Sequence, residues 1–447
     1  MPIGTMIALI LAALVAPGEP VAADPAGAGG GAWSRWDVAA AAQHALILPV
    51  CTGPYQISSG DVNGDGLPDL IIPCRGELLS PKLARPANDQ LTVYLNPGTT
   101  GTWVRRDFPV GFGPYHSAIG DLDGDGRPDL VVPDYQSNDG RDLAILYGAK
   151  NREALFEPTR FIGFPDTDLV NEYGLDPQGE PRYPTPGLTS AVIADVNGDG
   201  RPDIVAVSYQ SNVFYVLLNE GGRKFRTLRY PQQPAPYDQM MGGPRDIAVG
   251  DFDGDGTPDL AFSMYESNLV EVWKGDGSGG FAPWRRASSF GRIPYHLKAG
   301  DLDGDGRPDI VVGNRSTSDN VVVLRNDPTR FTYDGSFSPQ TAKRGEVTAD
   351  EIRDVVLGDI DGDGILDLAA AARESGKLVF WRGTGRRGFN AAFADRRTME
   401  FPGKGPRGIA LLPGAAAVIF YNSSEVGIVS LPGSSPTAAG SPASARR

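Results

Sequence analysis

Apolar and polar positions along this chain fall into a unit that returns six times. A short alternating run such as SAIG (117–120) leads into an acidic loop, and an apolar run such as DLVV (129–132) leaves it. A second β-rich run follows in every unit: QLTVYLN, DLAILYG, NVFYVLLN, LVEVWKG, NVVVLRN and KLVFWRG. A Gly-rich turn such as NEGGRKF then precedes a fourth, less regular run. Alternation with period two and the wealth of β-branched residues predict strands. The loops start at Asp61, Asp121, Asp195, Asp251, Asp301 and Asp359, 50 to 74 residues apart. Four antiparallel strands at such a period describe one blade of a β-propeller.

A seventh unit is degenerate. GPRGIALLPG (405–414) parallels GPRDIAVGD (243–251), with Pro413 in place of the first Asp, and AAAVIFY and EVGIVSL follow. A fourth strand is missing there. WSRWDV (33–38) resembles the fourth runs WVRRDF and FAPWRR, so it is expected to pair with 425–431 and close the ring, which removes the open edges. The fold expected is all-β, a seven-bladed propeller over 33–432 with acidic hairpin loops in six blades.

The acidic loops carry specific chemistry. Positions one, three, five, seven and nine are Asp61, Asn63, Asp65, Leu67 and Asp69 in the first. The others hold Asp121, Asp123, Asp125, Arg127 and Asp129; Asp195, Asn197, Asp199, Arg201 and Asp203; Asp251, Asp253, Asp255, Thr257 and Asp259; Asp301, Asp303, Asp305, Arg307 and Asp309; and Asp359, Asp361, Asp363, Ile365 and Asp367. Alternate carboxylates converge if the chain coils tightly, which the loop glycines permit. Position seven varies freely, so it would offer only its backbone carbonyl. Clustered oxygens without His or Cys suit Ca²⁺ before Mg²⁺. An EF-hand is excluded: position twelve is Ile72 or Val132 rather than Glu, and the flanks read as strands. About six structural Ca²⁺ are expected, and they would cancel nearly all of the formal net charge of −14. That acidity argues against nucleic acid as a partner.

The pattern resembles the FG-GAP repeat family, also described as VCBS-like repeats, found in the integrin α-subunit propeller and in exported bacterial proteins. The resemblance covers roughly 33–432 and implies a propeller whose Asp-rich loops bind Ca²⁺ structurally. The Phe-Gly and Gly-Ala-Pro elements themselves are weak here, and the seventh copy is expected to be metal-free.

The ends and the cysteines bear on location. MIALILAALV (6–15) is apolar but too short to span a membrane, and PVAAD supplies small residues before a cut after Ala23. Residues 1–23 therefore read as a signal peptide, 24–32 as a linker and 433–447 as a disordered tail. A secreted or periplasmic monomer without a membrane span is expected. Cys51 precedes one strand of a hairpin and Cys74 ends the other, so a disulfide is expected over two buried thiols.

Function should lie opposite the acidic loops. The long insertions, 75–90, 165–187, 231–243 and 338–350, all fall in connections at that end. Three sets of equivalent positions converge there. The first is Tyr55, Tyr115, Thr189, Arg245, Tyr295, Arg353 and Arg407. The next residue in each blade is Gln56, His116, Ser190, Asp246, His296, Asp354 or Gly408. The third set is Arg75, Tyr135, Tyr209, Tyr265, Arg315, Arg373 and Tyr421. Adjacent strand residues point opposite ways, so the first two sets should not both face the channel. A funnel of Tyr, Arg and His suits a hydroxylated or anionic ligand, although Tyr packing and Arg–Asp pairing between blades would give the same residues a structural role. The expected function is a binding or adhesion module for a glycan or an extracellular protein. The alternative is a polysaccharide lyase with His116, His296, Tyr115 and Tyr295 as candidate catalytic groups; a third reading is a structural module in a larger assembly. No nucleophile elbow, phosphate loop, zinc motif or redox Cys pair occurs.

Overall fold

The computed structural model describes residues 30–76, 89–98, 101–136, 140–164, 186–231, 243–315, 320–338, 350–388 and 390–432. Within them the strands form seven sheets of four, each antiparallel and in chain order from the axis outward, except the last. The expected seven-bladed propeller is the observed fold.

Blade one is representative. Its strands are Ser58–Gly60, Asp69–Cys74, Gln90–Leu95 and Val104–Pro109. The second strand is buried at all six positions because neighbouring blades cover both faces. The fourth, at the rim, is exposed or half-buried at every position. Seven apolar clusters fill the seven seams between blades. For instance, Leu70, Ile72, Ile419 and Ile428 join blades seven and one, and Phe214, Phe262 and Trp273 join blades three and four. The core is thus a ring of interfaces, and no blade buries its faces alone.

Closure occurs, but through another segment than expected. Blade seven comprises Pro406–Leu412, Ala415–Phe420, Glu425–Ser430 and Leu46–Pro49. Leu46 pairs with Ile428 and Pro49 with Glu425. WSRWDV is not a strand: Gly30–Ser34 and Val38–Gln43 are short helices. The local chemistry explains this. Asp37 caps the second helix by accepting from the Ala40 amide, and the alanine run behind it favours helix. Trp33 is 1% exposed in the seam of blades six and seven, and its Nε1 donates to the Asp395 carbonyl at 2.7 Å. Trp36 packs edge-on against Phe380 and donates to the Ser430 carbonyl. The tryptophans therefore wedge a seam rather than extend a sheet.

Cys51 and Cys74 form the expected disulfide. The expected signal peptide and tail, and most of the four insertions, lie outside the described residues. Among the described residues no helix is long and apolar enough to cross a membrane.

Candidate functional site

The acidic loops coil as the glycines require. In blade two, Gly124 and Gly126 have φ of +74° and +80°, the left-handed region that a side chain would strain. The Asp121 carboxylate accepts from the amides of Gly124, Asp125 and Gly126, and Asp129 accepts from Leu122 and from Gly148, just past the third strand. Equivalent bonds recur in the other five loops, for example around Asp301 and Asp309. At position seven the amide of Arg127 donates to Asp125.

Among the described residues, four groups bring ligand oxygens within 4.8 Å of one another: Asp121, Asp123 and Asp129; Asp251, Asp253 and Asp255; Asp301, Asp303 and Asp309; Asp359, Asp361 and Asp367. Burial pushes Asp129 and Asp309 up to about 6 and Asp367 to about 7, against the hydrogen bonds they accept. Asp123 Oδ1 is buried without a hydrogen-bond partner. Such all-oxygen sets fit a hard divalent cation. They also attract basic side chains that the sequence reading did not weigh. Arg223 reaches from blade three to Asp123 and to Glu157, Arg382 bonds Asp361 and Asp363, and Arg325 pairs with Asp303 and Asp309.

At the other end of the inner strands the three residue sets meet. In blades three to seven the register slips by one residue on the innermost strand, at Thr189, Arg245, Tyr295, Arg353 and Arg407. These five members of the first set are therefore β-bulge residues. A bulge re-aims the side chain, so the first and second sets both point inward. The simple alternation rule excluded that outcome.

The first set does not line an open funnel. Tyr55, Tyr115 and Tyr295 come from blades one, two and five, and their hydroxyl oxygens lie 2.6, 2.6 and 2.7 Å apart. Arg245 donates to Tyr295 at 2.8 Å and Arg407 does so at 3.0 Å. Arg75, from the third set, donates to Tyr55 at 3.3 Å. All six are at most 7% exposed. They form a plug on the propeller axis.

The second set forms a layer beneath the plug. His296 Nδ1 lies 3.1 Å from Asp246 and 4.0 Å from Asp354. Ser190 donates to Asp246 and Gln56 to Asp354. Burial works against the Asp246 carboxylate, but Lys298 and His296 outweigh it and hold the group far below the usual range. Burial leaves Asp354 raised. His116 is lowered to about 4, chiefly by burial, so it is neutral at physiological pH.

Four members of the third set, Tyr265, Arg315, Arg373 and Tyr421, form a half-exposed crescent above the plug. Arg315 donates to Tyr265 at 2.8 Å and to Glu351 at 2.7 Å. Arg373 donates to Glu351 at 3.3 Å and lies over the Tyr421 ring. Arg353 pairs with the same carboxylate. Tyr135 and Tyr209 pack below at 6.5 Å, with the Tyr209 hydroxyl on Glu266. Burial is the largest influence on Glu351, and the guanidiniums overcome it, so its carboxyl sits below the usual range. The sequence reading missed Glu351, although a signal was present. Two residues before the first set, five blades carry Gly53, Gly113, Gly187, Gly243 and Gly405, whereas this blade carries Glu.

Comparisons with known proteins agree with this architecture. The FG-GAP-like repeat matches residues 82–132, 195–262, 251–312 and 301–370, and the FG-GAP repeat matches 53–73. Integrin alpha-PS2 of Drosophila melanogaster is 27% identical over 244 residues, 49% of this chain and 16% of that protein. This chain thus spans a small part of that relative's length. Among solved structures, BBS1N in its complex with ARL6DN covers 88% of this chain and 99% of its own, with TM-score 0.56 and 13% identity. Virginiamycin B lyase from Staphylococcus aureus covers 87% of this chain and 99% of its own, with TM-score 0.54 and 12% identity. These two share the fold alone. The repeat matches, carried by loops that coil as described and by blades that close into a ring, place this chain in the FG-GAP repeat family of β-propellers.

Proposed function

We propose that this chain is an exported, calcium-stabilised binding module that takes an anionic or polyhydroxylated ligand, a glycan or an acidic protein surface, on the face opposite its calcium loops. The observation that carries this reading is the crescent of Tyr265, Arg315, Glu351, Arg373 and Tyr421. Three guanidiniums there share one carboxylate, and those of Arg315 and Arg373 stay partly open to water while Arg353 is buried. Arginine forks match carboxylate or sulfate, and tyrosine offers a stacking face and a hydroxyl. The integrin relative supports a protein or extracellular ligand. Calcium would be held by the six loops, where it would neutralise carboxylates and fix each inner hairpin.

Binding is favoured over catalysis because the tyrosines proposed for chemistry are bonded to one another. The test is a panel of uronate-containing and neutral polysaccharides, read by binding and by absorbance of unsaturated product. The reading expects retention of an acidic glycan that is weakened at least tenfold in the Arg315→Ala/Arg373→Ala variant, with no product. Product formation that the His116→Ala/His296→Ala variant abolishes would replace it with the lyase reading. Binding unaffected by the arginine substitutions would place the ligand elsewhere.

A further inference from the structure

The plug directs more hydrogen-bond donors at two of its phenol oxygens than a neutral phenol can accept. Tyr55, Tyr115 and Tyr295 make three mutual hydroxyl contacts. Arg75 and Arg245 add donors to Tyr55, both at 3.3 Å. Arg245 and Arg407 add donors to Tyr295, at 2.8 and 3.0 Å. If every phenol kept its proton, each would fill one mutual contact. Tyr55 and Tyr295 would then each accept three bonds while donating one. A phenol oxygen has room for one donated bond and about two accepted ones. A phenolate donates nothing and accepts about three bonds, so removing one proton relieves the surplus of accepted bonds and leaves two protons for the three mutual contacts.

The charge count points the same way. Arg75, Arg245 and Arg407 are each at most 7% exposed, and their bonds run to phenol oxygens and to the Tyr55 carbonyl. Among the described residues no carboxylate is a hydrogen-bond or ion-pair partner of these three, since Glu351 pairs with Arg353, Arg315 and Arg373. The Arg407 guanidinium lies 3.4 Å above the Tyr55 ring, and Arg245 stacks 4.6 Å from the Tyr115 ring. Buried cations without a counter-charge are costly.

We propose that the plug holds a resident tyrosinate, centred on Tyr55 and shared with Tyr115 and Tyr295, as the internal counter-anion of Arg75, Arg245 and Arg407. The phenolic proton passes to solvent as the ring closes. The charged and titratable groups facing Tyr55 are Arg75 from blade one, Tyr115 and Tyr135 from blade two, Arg245 from blade four, Tyr295 from blade five, Arg353 from blade six and Arg407 from blade seven. Burial opposes ionisation, but Arg407, Arg75, Arg245 and Arg353 together hold the Tyr55 phenol well below its ordinary value of 10.0. The anion joins side chains of six blades, so it acts as a keystone. Its stabilising effect is lost as pH falls through the lowered value, because the folded state then gains a proton that the unfolded phenol already carries.

The test is ultraviolet difference absorbance of the full chain at neutral pH. The native protein should show the red-shifted tyrosinate band, at roughly one per chain, and lose it on unfolding, where tyrosines titrate near 10. Tyr55→Phe should remove the band and Tyr209→Phe should keep it. If Tyr55→Phe does not fold, Arg245→Gln should move the band's acid titration to higher pH. A native protein without the band overturns the proposal, as does a band that survives Tyr55→Phe or is unmoved by Arg245→Gln. One-to-one binding of inorganic sulfate by calorimetry, lost in Arg245→Gln, would identify an external counter-anion and equally overturn it.

Discussion

Replacing Trp33 by Ala tests how the ring closes. The indole is 1% exposed between Phe380, Met399 and Phe401 of blade six and Phe420, Val429 and Leu431 of blade seven. Its Nε1 donates to Asp395 on the rim strand of blade six. Truncating a fully buried Trp costs about 3–5 kcal/mol through lost burial and a residual cavity. The hydrogen bond accounts for about 0.5–1.5 kcal/mol of that, so Trp33→Phe should recover most of the loss. The assay is urea unfolding followed by intrinsic fluorescence and circular dichroism, with and without residues 24–45 deleted. Because the helices wedge the seam, the deletion should be at least as costly as Trp33→Ala, although the closing strand Leu46–Pro49 is kept. If Trp33→Ala changes stability by less than about 0.5 kcal/mol, as surface substitutions do, the segment is a linker and the wedge argument fails.

Other measurements probe the remaining structure. Metal analysis after dialysis should find close to six Ca²⁺ per chain, and chelation should lower the melting temperature markedly; two or fewer ions, or an unchanged melting temperature, would refute the calcium reading. The Cys51→Ala/Cys74→Ala variant opens a loop with a sequence separation of 23 and should cost about 3 kcal/mol; equal stability of oxidised and reduced protein would contradict this. His116 is lowered from 6.5 to about 4, so between those values the unfolded state binds a proton that the folded state refuses. Stability should therefore fall by up to about 3 kcal/mol on acidification across that window, and the His116→Gln variant should fall less steeply. Parallel pH profiles for the two proteins would remove His116 from the balance.

The local pattern was enough for the blades, the loops and the disulfide. Period-two alternation and Asp spacing are short-range properties, and the repeat supplies six readings of the same unit. The three residue sets were likewise legible, because equivalent positions in a propeller must occupy equivalent places around the axis. What those side chains do on arrival was decided by the tertiary structure. The bulge at Tyr295 and its counterparts turns two adjacent residues inward, which no alternation rule expresses. The meeting of Tyr55, Tyr115 and Tyr295 depends on closure of the whole ring, since residues up to 240 apart in sequence become hydrogen-bond neighbours only then. The closing strand was misplaced for a related reason. WSRWDV and ALILP compete for one edge, and Asp37 with its alanine run gives the first to a helix while the apolar, proline-ended second pairs with Glu425–Ser430. That choice sets local propensity against burial of Trp33 between two blades, and only the assembled seam supplies the burial.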